Sequence, residues 1–364
     1  LLIISIFTAI CAILIILPGF RKWWQRRKFN QKKLSEPLSV GSFIITIFFV
    51  WLIVLSIVPS IFQWLKVQPN EITVEKPYIE NNIHFTRHAF HLDKVEEREF
   101  PVSDTLSEEI IRQNQNLLSN IRLWDYRALD AVFKQFQEIR LYYEFTDVDI
   151  DRYVIDKNYR EVMISARELE TGNLPRNSQT FVNKRFKYTH GNGIVLTKVN
   201  EFTPEGLPNL LIKDIPPVTS YDELQVKQPE IYYGELTNEH VIVNSKEKEF
   251  HYPSGEKNIY THYDGNGGVQ ISNFWRKLIY GWKFDGTRLL VSGYPTDSSR
   301  IMMHRQIENR LKTIAPFLYY DSDPYVVLAD GKIYWIVDAY TSSKYFPYSE
   351  PFTDTERLGE AKNT

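Results

Sequence analysis

The chain has 364 residues and a formal net charge of −2, with 43% hydrophobic and 24% charged side chains, ordinary globular values that exclude a disordered, collagen-like or coiled-coil chain. Charge is unevenly distributed: residues 1–65 carry seven cations and one acid, Glu36, a net of +6, which leaves −8 for the remainder. An acidic bulk excludes nucleic acid as a partner, because phosphate binding needs a net basic face.

Leu1–Leu17 reads LLIISIFTAICAILIIL, without a charge. Crossing a bilayer takes about 20 apolar residues, with a range of about 17–25, so the run reads as a transmembrane helix that has lost its start. Pro18, Gly19 and a basic block follow, the wrong order for a cleaved signal peptide. A second uncharged run begins at Phe43, and Trp23, Trp24 and Trp64 sit at the run ends, where indoles favour the headgroup level. The expected organisation is a membrane helix over 1–18, a basic cytoplasmic loop over 19–40, a second membrane helix over 41–65 and an extracytoplasmic α+β domain over 66–364. Basic loops stay cytoplasmic, which sends the acidic bulk to the other side of the cell membrane. Cys11 is the single cysteine, so that domain has neither disulfides nor a cysteine zinc site.

Within the large domain, Pro77–Leu92 has helical spacing, with proline expected in the first turn. Ser103 or Asp104 is the expected cap of a helical region reaching Arg140, broken near Leu123–Tyr126, with Leu117, Leu118, Ile121, Leu129, Val132, Phe133 and Phe136 as apolar stripes. The period then changes. Leu141–Ile155 alternates as a strand with one wet face, and Tyr159–Glu168 is its expected partner. Short strands are predicted at Gly193–Val199, Ile231–Tyr233 and Val241–Asn244, helices at Asn273–Trp282 and Ser298–Ile314, and a closing hairpin at Tyr325–Tyr340 about the turn Asp330-Gly331. The fold class is therefore α+β: two transmembrane helices, then antiparallel strands and packed helices.

These stretches resemble a known family. The phrases PYIENNIHFTRHAF (77–90), IRLWDYRALDAVFKQFQEIRLYYEFTDVDIDRY (121–153), YTHGNG (188–193), IYYGE (231–235), SSRIMMHRQIENRLKTIAPFLYYDSDPYVV (298–327) and DGKIYWIVDAYTSSKYFPYS (330–349) are similar to uncharacterised protein family 0182, prokaryotic multi-pass membrane proteins. The resemblance implies further spans before Leu1 and further soluble sequence after Thr364. It carries over no reaction and no catalytic residue.

Candidate chemistry comes from the residues themselves. His84, His88 and His91, at i, i+4 and i+7, would share a helical face and offer three nitrogens to zinc, or simply form that helix's polar face. Asp147, Asp149 and Asp151 alternate along the predicted strand. Asp147 and Asp151 would lie about 13 Å apart, too far for one ion, but two neighbouring aspartates with Asp321 or Asp323 would suit calcium or magnesium. The alternative is a solvated face neutralised by Arg140 or Arg152. Glu235, beside Tyr232 and Tyr233, is a further ligand-binding candidate. His190, in a glycine turn, is the candidate acid or base. Nucleotide-loop, GxSxG and HExxH patterns are absent from the sequence.

The function expected is binding or organising a cell-envelope component, with the lipid bilayer and that component or a homo-oligomer as partners. No cofactor is expected unless the aspartates hold a divalent metal ion. The alternatives are a metal-assisted ectohydrolase and the cap domain of a transporter or channel. The topology has a direct check: protease added to intact cells should digest the region after Leu65, while inverted vesicles should protect it.

Overall fold

A computed structural model of the chain describes residues 47, 48, 50, 51, 53–99, 102, 107–237, 239–255, 257–354 and 359–361. It divides into two units, one formed by the chain up to Val95 with Lys344–Phe352, the other chiefly by Glu96–Ser343. In the first, the backbone is helical from Ile53, passing through π and 3-10 turns and the short α1 (Val58–Phe62) into α2 (Glu71–Ala89). No helix among the described residues is long and apolar enough to cross a membrane. The expected first span and the basic loop lie outside the described residues, and the second span is described only from residue 47. Pro77 lies inside α2 rather than at its start. A backbone already wound from Glu71 loses only one i→i−4 bond at that proline. The segment after Lys344 packs on α2: Asn82 Nδ2 donates to Tyr348 O at 3.1 Å, and Glu350 N donates to Thr86 Oγ1 at 2.8 Å.

The second unit opens with α3 (Glu108–Gln113), α4 (Gln115–Leu118) and α5 (Tyr126–Gln137). Ser107 caps α3 and Asp125 caps α5, whereas Ser103 and Asp104 lie outside the described residues. The predicted break before Tyr126 is present. Of the apolar stripes, Leu129 and Phe133 are buried, while Leu117, Leu118, Ile121 and Phe136 are exposed, because only one face of α5 meets the sheet.

That sheet is built on one long strand. β1 (Tyr143–Phe145) and β2 (Asp149–Ile155) both pair with one edge of β3 (Asn158–Leu169), and β5 (Ile194–Phe202) pairs with the other, flanked by β6 (Pro208–Ile212). All these pairings are antiparallel. Asp156 and Lys157, both at positive φ, make the tight β2–β3 turn. A two-residue β4 (Gly191–Asn192) precedes β5 and pairs with β7 (Glu230–Ile231). The single strand predicted over 141–155 is thus two, interrupted at residues 146–148.

Side chains alternate across β3 and β5 as the pleat requires. Val162, Ile164, Ala166, Ile194 and Leu196 face a core closed by Val326 and Leu328. Met163, Val195 and Val199 face α5 through Leu129 and Phe133. Both faces are covered, so the expected wet face is confined to β2. Val326 and Leu328 belong to a hairpin, β14 (Tyr325–Ala329) and β15 (Lys332–Ile336), turning at Asp330 and Gly331 as predicted.

A smaller layer surrounds the antiparallel trio β8 (Val241–Val243), β11 (Val269–Gln270) and β12 (Arg300–Met302). Near it lie α6 (Phe274–Tyr280) and α7 (Arg288–Val291). The helix predicted from Ser298 is α8, Ile307–Ile314. Residues 300–302 are a strand instead, because Ile301 and Met302 are wholly buried and pair with Ile242 and Val241.

Phe133 and Phe136 give a test of which face of α5 packs. Phe133→Ala should cost about 3–5 kcal/mol in denaturant unfolding, and Phe136→Ala well under about 1 kcal/mol.

Candidate functional site

Asp147 sits in the interruption between β1 and β2, where the Ser165 hydroxyl donates to its backbone carbonyl. Asp149 opens β2 and points to the hairpin side of the sheet, its Oδ2 accepting from Val326 N at 2.8 Å. Asp323 lies just before β14, its backbone N bonded to Asp321 Oδ1 at 3.1 Å. One carboxylate oxygen from each of Asp147, Asp149 and Asp323 lies within 4.8 Å of the others. Asp149 is buried, Asp147 half-buried and Asp323 exposed, which gives the cluster an open side.

Crowding three carboxylates raises their proton affinity. Asp147 is pushed up to about 6 and Asp149 to about 7, first by burial and then by neighbouring acids including Asp323. Glu235 belongs to the same electrostatic group: burial, followed by Asp147, Glu168, Asp149 and Asp323, pushes it to about 9. Its Oε2 is buried and has no hydrogen-bond partner among the described residues.

Glu235 is held in place by two buried charges. Glu168, on the same face of β3 as Ile164 and Ala166, is wholly buried. Its carboxylate accepts from Glu235 N at 2.6 Å, Leu236 N at 3.1 Å and Thr237 Oγ1 at 2.8 Å. Gly234 passes so close that an added Cβ would lie 2.1 Å from Glu168 Oε2, which explains glycine there. Arg305, 2% exposed, donates to the carbonyls of Tyr232, Glu239 and Thr189 at 2.7, 3.1 and 2.5 Å. The loop carrying Glu235 is therefore gripped at both ends and in the middle.

His190 belongs to a different network. It is 1% exposed and burial, then the charges of His251 and Arg305, push it down to about 3, so it is neutral. Thr189 Oγ1 donates its one proton to Glu249 Oε2 at 2.8 Å. The 2.9 Å contact between Thr189 Oγ1 and His190 Nδ1 must then use the imidazole's proton. That leaves His190 Nε2 to accept from His251 Nδ1 at 3.2 Å. Glu249 also accepts from Tyr232 Oη, Asn244 N and Tyr263 N.

The remaining candidates lie elsewhere. His91 follows the end of α2 in the left-handed conformation, so the three histidines do not share one helical face; His88 instead meets Asp93 at 3.4 Å. Arg152 leans 3.7 Å from Glu161, which also holds Arg122, and does not neutralise the aspartates. Asp151 accepts from Arg152 N at 2.7 Å. Asp321 turns the loop that presents Asp323 and contributes no oxygen to the cluster of three.

The three clustered aspartates and Glu235 all fall within the phrases quoted above: TDVD, SDPY and IYYGE. The profile of uncharacterised protein family UPF0182 matches residues 1–363. The chain belongs to UPF0182. A UPF0182 protein of Pelotomaculum thermopropionicum is 50% identical over 300 residues, covering 82% of this chain and 33% of that protein. One from Trichodesmium erythraeum is 50% identical over 306 residues, at 83% and 33% coverage. One from Methanospirillum hungatei is 45% identical over 335 residues, at 92% and 37% coverage. The chain spans about a third of the length of the curated relatives it matches. No solved structure matches it.

Sequence reasoning missed the supporting charges of this UPF0182 chain: Glu168, Glu249, Arg167 and Arg305. A signal existed for two of them. Arg167 and Glu168 stand side by side after Val162–Ala166, a run apolar but for Ser165, and a charge in such a place requires buried partners. Glu168→Ala should strand three donors and destabilise the domain by about 3 kcal/mol or more. Gly234→Ala should show a comparable loss in the same thermal or denaturant unfolding.

Proposed function

We propose that this chain is part of an integral membrane protein whose large extracytoplasmic domain binds a divalent cation, calcium ahead of magnesium, and uses it in organising a component of the cell envelope. The observation that carries the reading is the convergence of Asp147, Asp149 and Asp323 to within 4.8 Å. Two oxygens that each lie about 2.4 Å from an ion are at most about 4.8 Å apart, so the spacing suits ligands of one hard cation. Glu235 lies outside that group of three, and its buried unpartnered oxygen adds to the same negative field. An all-oxygen set drawn from separate segments favours calcium, which accepts irregular geometry; magnesium demands an octahedron.

The membrane part of the reading rests on the two uncharged runs, the basic connector, and the surface of the helical segment that follows. Ile57, Val58, Ile61, Phe62, Trp64 and Leu65 are 48–66% exposed, and a helix apolar on every side requires lipid or a protein partner around it. The hydrolase alternative built on His190 has less support, since that imidazole is sealed and engaged at both nitrogens.

The raised carboxyls give the cation reading a pH signature. In the metal-free folded chain Asp147, Asp149 and Glu235 hold protons that the unfolded chain releases near pH ~4. Stability of the metal-free protein should therefore fall as pH rises from about 4 towards about 9, the folded state being the one that binds more protons there. Calcium should reverse that loss and release protons on binding. At about a hundredfold excess over Kd the stabilisation should be about 2.7 kcal/mol. Asp149→Asn should abolish the calcium response. A chelator-treated chain whose melting temperature and proton count ignore added calcium and magnesium would overturn the reading.

A further inference from the structure

The segment 273–291 presents a surface that neither the cation site nor the core uses. Trp275, Ile279 and Trp282 fall at i, i+4 and i+7 along α6 and the π turn that follows it (Gly281–Asp285), and they are 69%, 62% and 88% exposed. Phe274, 62% exposed, meets Trp275 edge-on at 5.7 Å. The opposite side of the segment is well buried: Tyr280, Phe284 and Leu289 pack with Phe186, Ile242 and Ile301. The aromatic face is thus held on a fixed base rather than carried on a loose end.

Its charge is the reverse of the domain's. Arg276, Lys283 and Arg288 are exposed, and Lys277 is half-buried. The segment's one acid, Asp285, is withdrawn beneath the surface and bonded to Arg185 at 3.1 Å and His240 at 2.5 Å. On a bulk that is net negative, four cations around an indole-rich apolar face form a local positive patch. Indoles prefer the headgroup level of a bilayer, and lysine and arginine stems lie along apolar surface while their heads reach outward to phosphate. A protein interface would select arginine and deplete lysine; here two of the four cations are lysines, and Lys283 stands beside Trp282.

We infer that this face docks on the headgroup region of an anionic phospholipid surface, with Trp275, Ile279 and Trp282 inserted and Arg276 and Lys283, which flank that face, on the phosphates. Each such cation near the surface strengthens association by about 1 kcal/mol, so losing both should shift the docking equilibrium by roughly thirtyfold.

The test uses the full chain in a Cys11→Ala background, with Trp282→Cys carrying an environment-sensitive fluorophore and Val218→Cys, at 52% exposure, as the remote control. The chain is reconstituted into phosphatidylcholine vesicles with and without phosphatidylglycerol. At position 282 the label should shift to the blue, escape iodide and be quenched by lipid-borne nitroxide when phosphatidylglycerol is present; at position 218 it should remain aqueous. R276Q/K283Q should return the label at 282 to water with the chain still folded by its melting temperature. The inference is overturned if the label at 282 remains accessible to iodide in both vesicles. It is overturned equally if the label is shielded from iodide but not quenched by lipid-borne nitroxide, because a second copy or another protein segment would then cover the face. Failure of either kind leaves calcium binding at the aspartates untouched.

Discussion

A carboxylate removed entirely from water must be given hydrogen bonds, and Glu168 gets its three from the backbone and side chain of one loop. That requirement fixes where residues 234–237 run, and with them Glu235. The same requirement in opposite sign fixes Arg305, whose guanidinium is covered by carbonyls from Thr189, Tyr232 and Glu239. Burial pulls Arg305 down to about 10, still well above neutrality, so it remains a cation whose donors must be used. Glu235 is positioned by these two residues, whereas the aspartates, which repel one another, are placed by the bonds that Ser165 and the Val326 amide make to residues 147 and 149.

The two sides of the central sheet divide the work. On the α5 side, packing is apolar apart from Ser165, Thr197 and Arg167, the last of which donates to the carbonyls of Gln137, Asn192 and Asp214. On the hairpin side, the apolar core of Ile164, Leu196 and Val326 gives way at one end to acids. Asp149 marks that boundary, since its carboxylate accepts from the backbone of the hairpin strand whose next inward residue, Leu328, is core. A cation bound there would join the β1–β2 edge to the start of the hairpin, segments about 175 residues apart in sequence, and proton uptake by Asp147 and Asp149 would weaken that link.

Local patterns made much of this legible. The pairing of Tyr159–Glu168 with the strand before it, the Asp330-Gly331 turn and the break before Tyr126 were all readable from residue type, because each is decided by neighbours within a few positions. The clustering of Asp147 with Asp149 and a residue of the 321–323 loop was also readable as an option, from alternation and charge alone. What sequence could not supply was pairing over distance. The strand at 300–302 reads as the start of a helix until Ile242 and Val241 lie beside it. His91 reads as the next turn of α2 until the helix is seen to end at Ala89. Phe133 and Phe136 look alike until the sheet selects one. Glu168 and Arg305 look like surface charges until the loop they bind is in place.

The interruption at residues 146–148 has an effect beyond delivering Asp147. The outer margin of the sheet consists of strands of three and seven residues with a kink between them, where a serine hydroxyl answers a main-chain carbonyl. A stranger's extended peptide finds no long, even row of amides to zip onto. The geometry that gathers negative charge thus also discourages self-association into fibrils.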